Sequence, residues 1–255
     1  MNKVNNDNNS HEVAHKLMRT IEEGHTQVPD EFSPLVCKPH RIESWRVFKI
    51  MSEFVEGFEL IRRYGTAATF FGSARETLDP EIYKQATELA ARLAKEKEYA
   101  VITGGSAGIM QSANKGAYEV GGSSVGLNVR LPHPQKSNEY LTDMFEFDHF
   151  FVRKVMLTFA SEVYIFFPGG FGTLDEFFEV VTLVQTKKIR KVPIVMYHST
   201  YWNPLMTFIE EQLLKKFKTI GPQDMDLLHV VDSVDEAFTF ITQHTETECK
   251  EGSDE

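Results

Sequence analysis

The chain has 255 residues, 42% of them hydrophobic, and a formal net charge of −10. That length carries a full core, and the acidic balance argues against broad electrostatic capture of nucleic acid or of an anionic membrane surface, so any phosphate ligand must meet a focused site. No apolar run approaches the ~20 residues that span a bilayer, and the start MNKVNNDNNSHEVAHK has no apolar signal core, so a soluble cytoplasmic protein is expected.

Residues 1–39 are rich in Asn, Asp, His and Pro and read as a flexible arm. Residues 40–64 read as a helix, with Trp45, Phe48, Met51, Val55 and Phe58 on one face that serves either the core or a subunit interface. From 65 to 245 short apolar runs alternate with amphipathic segments. AATFFGSA is a strand ending at Gly72, and the helix PEIYKQATELAARLAKEKE opens on Pro80, where its missing N–H is no loss. YAVIT is a strand running into a glycine turn and a helix, and SSVGLNVRL is strand-like. A short strand is expected within Phe145–Phe151, then the helix FVRKVMLTFASE, the strand EVYIFFPGG and the helix GTLDEFFEVVTLVQTKK. VPIVMYH, NPLMTFIEEQLLKKF, LLHVVDS and VDEAFTFITQH continue the alternation, before a polar, flexible tail at 246–255. Such alternation implies an α/β fold: a doubly wound, mainly parallel sheet with helices on both faces, plus the N-terminal helical extension. Ligands of such sheets sit at the carboxyl ends of the strands.

Two glycine turns occupy that position, TGGSAGIM (Thr103 to Met110) and PGGFGT (Pro168 to Thr173), with a third small-residue strand end at Gly72-Ser73. Glycine lets backbone approach a ligand closely, and the N–H groups and dipole of a helix start favour a phosphate. A strand-to-helix turn needs glycine anyway, so each turn alone is a weak signal. Neither turn is a Walker A loop or a GxGxxG fingerprint. GGSAG formally matches the GxSxG nucleophile elbow, with Ser106 as nucleophile and His229 or His244 as a base to be found. Glu176 either completes a capping box with Thr173 or offers a carboxylate beside the phosphate loop. Arg153 and Lys154 stand at a helix start, where positive charge is unfavourable unless an anion is near. The run KKIRK, Lys187 to Lys191, reads as a solvated helix end. His133, His149 and His198 are scattered singly, and Cys37 and Cys249 lack ligand spacing, so neither metal nor cofactor is expected.

Together GGSAGIM, FFVRKVML and PGGFGTLDE, in this order across residues 67–244, resemble the LOG ("Lonely Guy") family, long labelled lysine decarboxylase-like. The resemblance implies a Rossmann-like fold and a phosphoribohydrolase that cleaves the N-glycosidic bond of a nucleoside 5′-monophosphate, AMP or an N6-modified AMP, to free base and ribose 5-phosphate. In the best-known members the base is a cytokinin. The N-terminal helix and FEFDHFFVRKVML look like the longer bacterial subgroup. By position, Arg153 matches the family's catalytic arginine and Glu176 its catalytic glutamate. Gly169, Gly170, Gly172 and Thr173 match the phosphate loop, with Gly104, Gly105 and Gly108 lining the other side; Ser73 and Lys154 are weaker matches. Ser106 replaces the usual third glycine of the first loop, and Gln111 the glycine that often follows the methionine. The decarboxylase label is rejected on chemistry, because that reaction needs an electron sink such as PLP on a Schiff-base lysine, and no lysine here has that context. Relatives of the fold bind molybdenum cofactor or DNA, so a non-catalytic nucleotide or cofactor carrier is the alternative. The family's dimers and larger assemblies imply a homo-oligomer.

Overall fold

The computed structural model describes residues 44–131 and 136–246. The expected flexible arm, residues 40–43 of the expected helix, Cys37, His133, Cys249 and all of the expected tail but Glu246 lie outside the described residues. In chain order the elements are α1 (Ser44–Ile61), β1 (Ala67–Phe71), α2 (Pro80–Lys97), β2 (Ala100–Thr103), α3 (Ile109–Glu119), β3 (Ser124–Val129), β4 (Asp143–Phe147) and α4 (Phe150–Phe159). They continue as β5 (Val163–Phe166), α5 (Phe171–Gln185), β6 (Ile194–Tyr197), α6 (Ser199–Phe208) running into a π-helical segment (Ile209–Lys216), α7 (Pro222–Met225), β7 (Leu228–Val231) and α8 (Val234–Glu246).

The seven strands pair in the order β4-β3-β2-β1-β5-β6-β7, every pair parallel. The chain winds outward from β1 on one side and from β5 on the other, which sets a topological switch point between them. Both faces of the sheet are covered, so the central strands are buried along their whole length. Alternate side chains feed two cores: Ala68 and Phe70 pack with α2, α3 and α8, while Ala67 and Phe71 pack with α1, α4, α5 and α6.

Local chemistry sets the ends of α2. The Asp79 carboxylate accepts from Glu81 N at 2.9 Å, Pro80 fills the first turn, and Glu98 closes the helix in a left-handed conformation.

One open reading narrows and two change. The α1 stripe does not feed the core: Trp45, Phe48, Met51, Val55 and Phe58 are 40–68% exposed. The helix packs instead through Ile50, Phe54 and Leu60, and through Gly57, where a Cβ would run into Met156. Strand β4 spans Asp143–Phe147 and not the aromatic run to Phe151, because Phe150 already opens α4. Helix α6 begins at Ser199, not at Asn203-Pro204; Asp232 accepts from Ser199 N at 2.7 Å and starts the helix early, leaving Pro204 inside it. The short helix α7 was not expected.

Candidate active site

The carboxyl ends of β1, β2 and β5 meet at the switch point, and Ser73 joins them through its backbone. Its N–H donates to Pro168 O at 3.0 Å, and its carbonyl accepts from Ile109 N at 3.0 Å. The two glycine turns, about sixty residues apart in the chain, are thereby fixed side by side. Gly108 is indispensable to this junction: its φ is +68°, and a Cβ would run into Ser73 O. The first turn is held from beneath by a polar network. Thr103 Oγ1 accepts from Gly105 N at 2.8 Å and donates to Asn114 Oδ1 at 2.6 Å. Asn138 N donates to Gly105 O at 2.9 Å, and Asn138 Nδ2 donates to Ser106 O at 3.1 Å. These residues were missed from sequence; Thr103 beside the glycines was the one local signal, and nothing near Asn138 announces its partner.

Arg153 and Glu176 face each other across the mouth of the turns. Arg153 Nη1 donates to Glu176 Oε1 at 3.1 Å, and its Nε donates to Leu127 O, at the end of β3, at 3.2 Å. Its guanidinium lies over Gly104, where a Cβ would run into Nη2, so this glycine makes room for the arginine. Each side chain of the pair is 12% exposed. Burial pushes the Glu176 carboxyl up, against the pull of Arg153 and with help from Asp175, to about 7. A carboxyl held there exchanges a proton near neutral pH, as general acid–base work requires.

The arginine is positioned from an unexpected quarter. Helix α4 has no side-chain cap of its own at His149. Glu53, buried on α1, supplies one: its carboxylate accepts from Asp148 N at 3.2 Å and His149 N at 3.1 Å, and lies 2.9 Å from His149 Nδ1. A carboxylate at a helix N-terminus satisfies orphan N–H groups and complements the dipole.

At the second turn, Gly170 is the N-cap of α5 and Phe171 its first residue. Thr173 is therefore a third-position helical residue, buried, with Gly169 packed against its hydroxyl. This corrects the capping-box reading, since Thr173 lies inside the helix and does not precede it, and Glu176 falls on the second turn. Gly170 and Gly172 have open space over their Cα atoms, and Gly169 O accepts from Tyr201 Oη at 2.8 Å. The first-turn N–H groups of α5 have no intrahelical acceptor and point to this opening, a ready anion seat.

Lys154 sits beside the pair but turns to the flank of α5, with Nζ 2.7 Å from Asp175 and 3.2 Å from Glu179. Burial lowers its pKa, but the two carboxylates outweigh that and raise it. A Schiff-base lysine needs the opposite shift, so this lysine does not fit PLP chemistry. Ser106 lies on the loop after β2, whereas His229 is on β7, four strand positions away or about 19 Å. His229 stacks on Phe240, which also contacts His244. The elbow reading thus has no histidine at its serine among the two it named. Among the described residues, no group of three or more His, Cys, Asp or Glu could hold a metal ion, and no helix is long and apolar enough to cross a membrane.

The family described as "Possible lysine decarboxylase" matches residues 110–241, just over half of the chain. The chain belongs to this family, the LOG family. A LOG relative from Rhodococcoides fascians, named cytokinin riboside 5′-monophosphate phosphoribohydrolase, is 29% identical over 143 residues, 54% of this chain and 71% of the relative. LOG5 of Arabidopsis thaliana, which carries the same name, is 30% identical over 151 residues, 58% of this chain and 65% of the relative. Among solved structures, the molybdenum cofactor carrier protein of Chlamydomonas reinhardtii superposes with a TM-score of 0.55 at 21% identity, over 71% of this chain and 98% of the carrier. That likeness is one of fold.

Proposed function

We propose that the chain hydrolyses the N-glycosidic bond of a nucleoside 5′-monophosphate, AMP or an N6-modified AMP, releasing free base and ribose 5-phosphate. The observation that carries this reading is the buried Arg153–Glu176 pair between two glycine turns, with the glutamate titrating near neutrality. The names of the LOG relatives support the same reaction class.

In this reading the 5′-phosphate sits on the first turn of α5, against Gly169, Gly170, Gly172 and Thr173, with Gly104, Gly105 and Gly108 walling the other side. Ser73 contributes through its backbone, which holds the two walls together. Arg153 anchors the nucleotide, and Lys154 fixes the α5 flank through Asp175 and Glu179. Binding energy from the non-reacting phosphate then orients the sugar. Departure of the base with the C–N electron pair builds positive charge on the ribose, as in glycoside hydrolysis. The ionised Glu176 stabilises that charge and takes a proton from the water whose oxygen bonds to C1′. The departing base acquires its proton from solvent.

The fold alone does not decide this, since it is shared with the carrier protein. A carrier has no step for a buried carboxyl that exchanges a proton near neutrality, whereas a glycosidase needs one next to C1′. The test is release of free base from AMP and from its N6-isopentenyl analogue. Wild type is expected to turn over, and Glu176→Gln is expected to bind AMP yet lose about three orders of magnitude in rate. Binding by wild type without base release supports the carrier instead, and a Glu176→Gln variant at near-wild-type rate removes the glutamate from the mechanism.

We also propose a homo-oligomer paired through α1. Its outer face sets Trp45, Phe48, Met51, Val55 and Phe58 side by side in water, a contiguous apolar surface of the kind that marks an interaction site. The charges flanking that stripe are arranged for self-pairing. Arg46 and Lys49 stand in the first half of the helix and Glu56 and Glu59 in the second, and an antiparallel copy centred between Ser52 and Glu53 sets 46 opposite 59 and 49 opposite 56. A two-fold interface needs this kind of self-complementarity.

A further inference from the structure

Helix α5 carries Glu176 near one end, and its other end forms a second feature that the hydrolase reading leaves unused. Lys187, Lys188, Arg190 and Lys191 stand around a cavity of about 510 Å³ whose apolar lining includes Val184 and Leu227. Cations at a helix C-terminus usually serve its free carbonyls. Here that task is already done. Lys187 N donates to Val184 O at 3.0 Å and Lys188 N to Leu183 O at 2.8 Å, while Thr186 N and Oγ1 both donate to Thr182 O. The lysine side chains are left over.

Lys187 sharpens the point. It holds the left-handed position of this cap, with φ +57°, where glycine is the favoured residue and a side chain is strained. This places a cation at the cavity edge in a conformation that glycine would adopt more easily. The one carboxylate lining the cavity, Asp224, accepts from Gly221 N at 2.7 Å and Gln185 Nε2 at 3.0 Å. Arg190 pairs with Glu162 at 3.4 Å, and among the described residues Lys187, Lys188 and Lys191 make no ion pair. In a chain of net charge −10, three lysines beside one cavity outweigh Asp224 and the roughly half charge of the helix end.

We infer that this cavity is a second anion site, built for a small organic molecule carrying phosphate. The apolar lining accepts an organic portion. The inference stands apart from the hydrolase reading, because it uses none of the residues of the glycine turns.

The test is calorimetric titration at physiological ionic strength with inorganic tripolyphosphate and with ATP. Wild type is expected to bind both, ATP at least as tightly because of the apolar lining. Lys188→Glu combined with Lys191→Glu should weaken tripolyphosphate by about tenfold or more. Lys187→Gly should weaken it about threefold while raising Tm, since glycine relieves the strained position; a loss of binding in a more stable protein is not a folding defect. Both variants are expected to leave base release unchanged, and Arg153→Ala to leave tripolyphosphate binding unchanged. The proposal is overturned if wild type fails to bind tripolyphosphate at millimolar concentration, if both lysine variants keep wild-type affinity, or if Arg153→Ala abolishes binding. ATP binding more weakly than tripolyphosphate removes the organic portion.

Discussion

Glu176 is a carboxyl that folding makes harder to ionise, and that has a consequence for stability as well as for chemistry. Its folded pKa, about 7, lies above the ordinary value of 4.5, so between those values the folded chain binds the proton more tightly than the unfolded one. The folded form is then favoured at low pH, and this contribution is lost as pH rises through about 7. Glu176→Gln removes the titration. Urea unfolding at about pH 5 and about pH 8 should therefore show the variant gaining roughly 2 to 3 kcal/mol on wild type across that interval. A stability difference that is flat with pH would mean the carboxyl is not held near neutrality. The same group was legible in the sequence, as were Arg153 and the glycines, because each lies in a short contiguous motif. Glu53, Asn114 and Asn138 were not, because each bonds to a group that only the tertiary fold brings near, and a single carboxylate in a helix carries no mark of the cap it makes.

At the scale of elements, the alternation of strands and helices was readable because fully buried parallel strands appear as short apolar runs between helical periods. Boundaries were less so. Asn203-Pro204 looked like a helix start by the usual role of proline, yet the bond from the Ser199 N–H to the Asp232 carboxylate on the neighbouring β7 loop begins α6 a turn earlier. The α1 stripe was left open between core and interface because this helix is apolar on two sides, and periodicity fits Trp45–Phe58 as well as Ile50–Leu60 without saying which one the sheet covers. Besides the packing of Ile50, Phe54 and Leu60, α1 contributes inward the cap on α4. Replacing Glu53 by Ala strips two backbone N–H groups and His149 of their acceptor, and should cost about 2 kcal/mol in chemical unfolding. Because α4 carries Arg153, kcat for base release should fall as well. Glu53→Gln keeps one acceptor oxygen and should recover part of both losses. If the alanine variant unfolds with wild type and turns over at its rate, α1 does not position the arginine.

For the whole molecule, a net charge of −10 works against self-association, so any pairing of copies must gain more from apolar burial than it loses to repulsion. The outer face of α1 offers both terms. Trp45, Phe48, Met51, Val55 and Phe58 supply the apolar area, at about 25 cal/mol for each Å² removed from water. The order of charges along the helix, basic then acidic, turns local repulsion into attraction only when the two copies run antiparallel. The wild-type chain is accordingly expected to sediment as a dimer or larger assembly. Phe48→Asp with Val55→Asp should shift it to a smaller species while leaving the fold intact, since both side chains already face water in the monomer. Charge reversal separates this arrangement from simple stickiness. Arg46→Glu with Lys49→Glu should weaken assembly, because only in the antiparallel register do those two cations face carboxylates, and mixing that variant with one carrying Glu56→Lys and Glu59→Lys should restore it, since an acidic flank then meets a basic one. A monomeric wild type would end the proposal, and assembly indifferent to the charge reversals would move the interface to another face of the molecule.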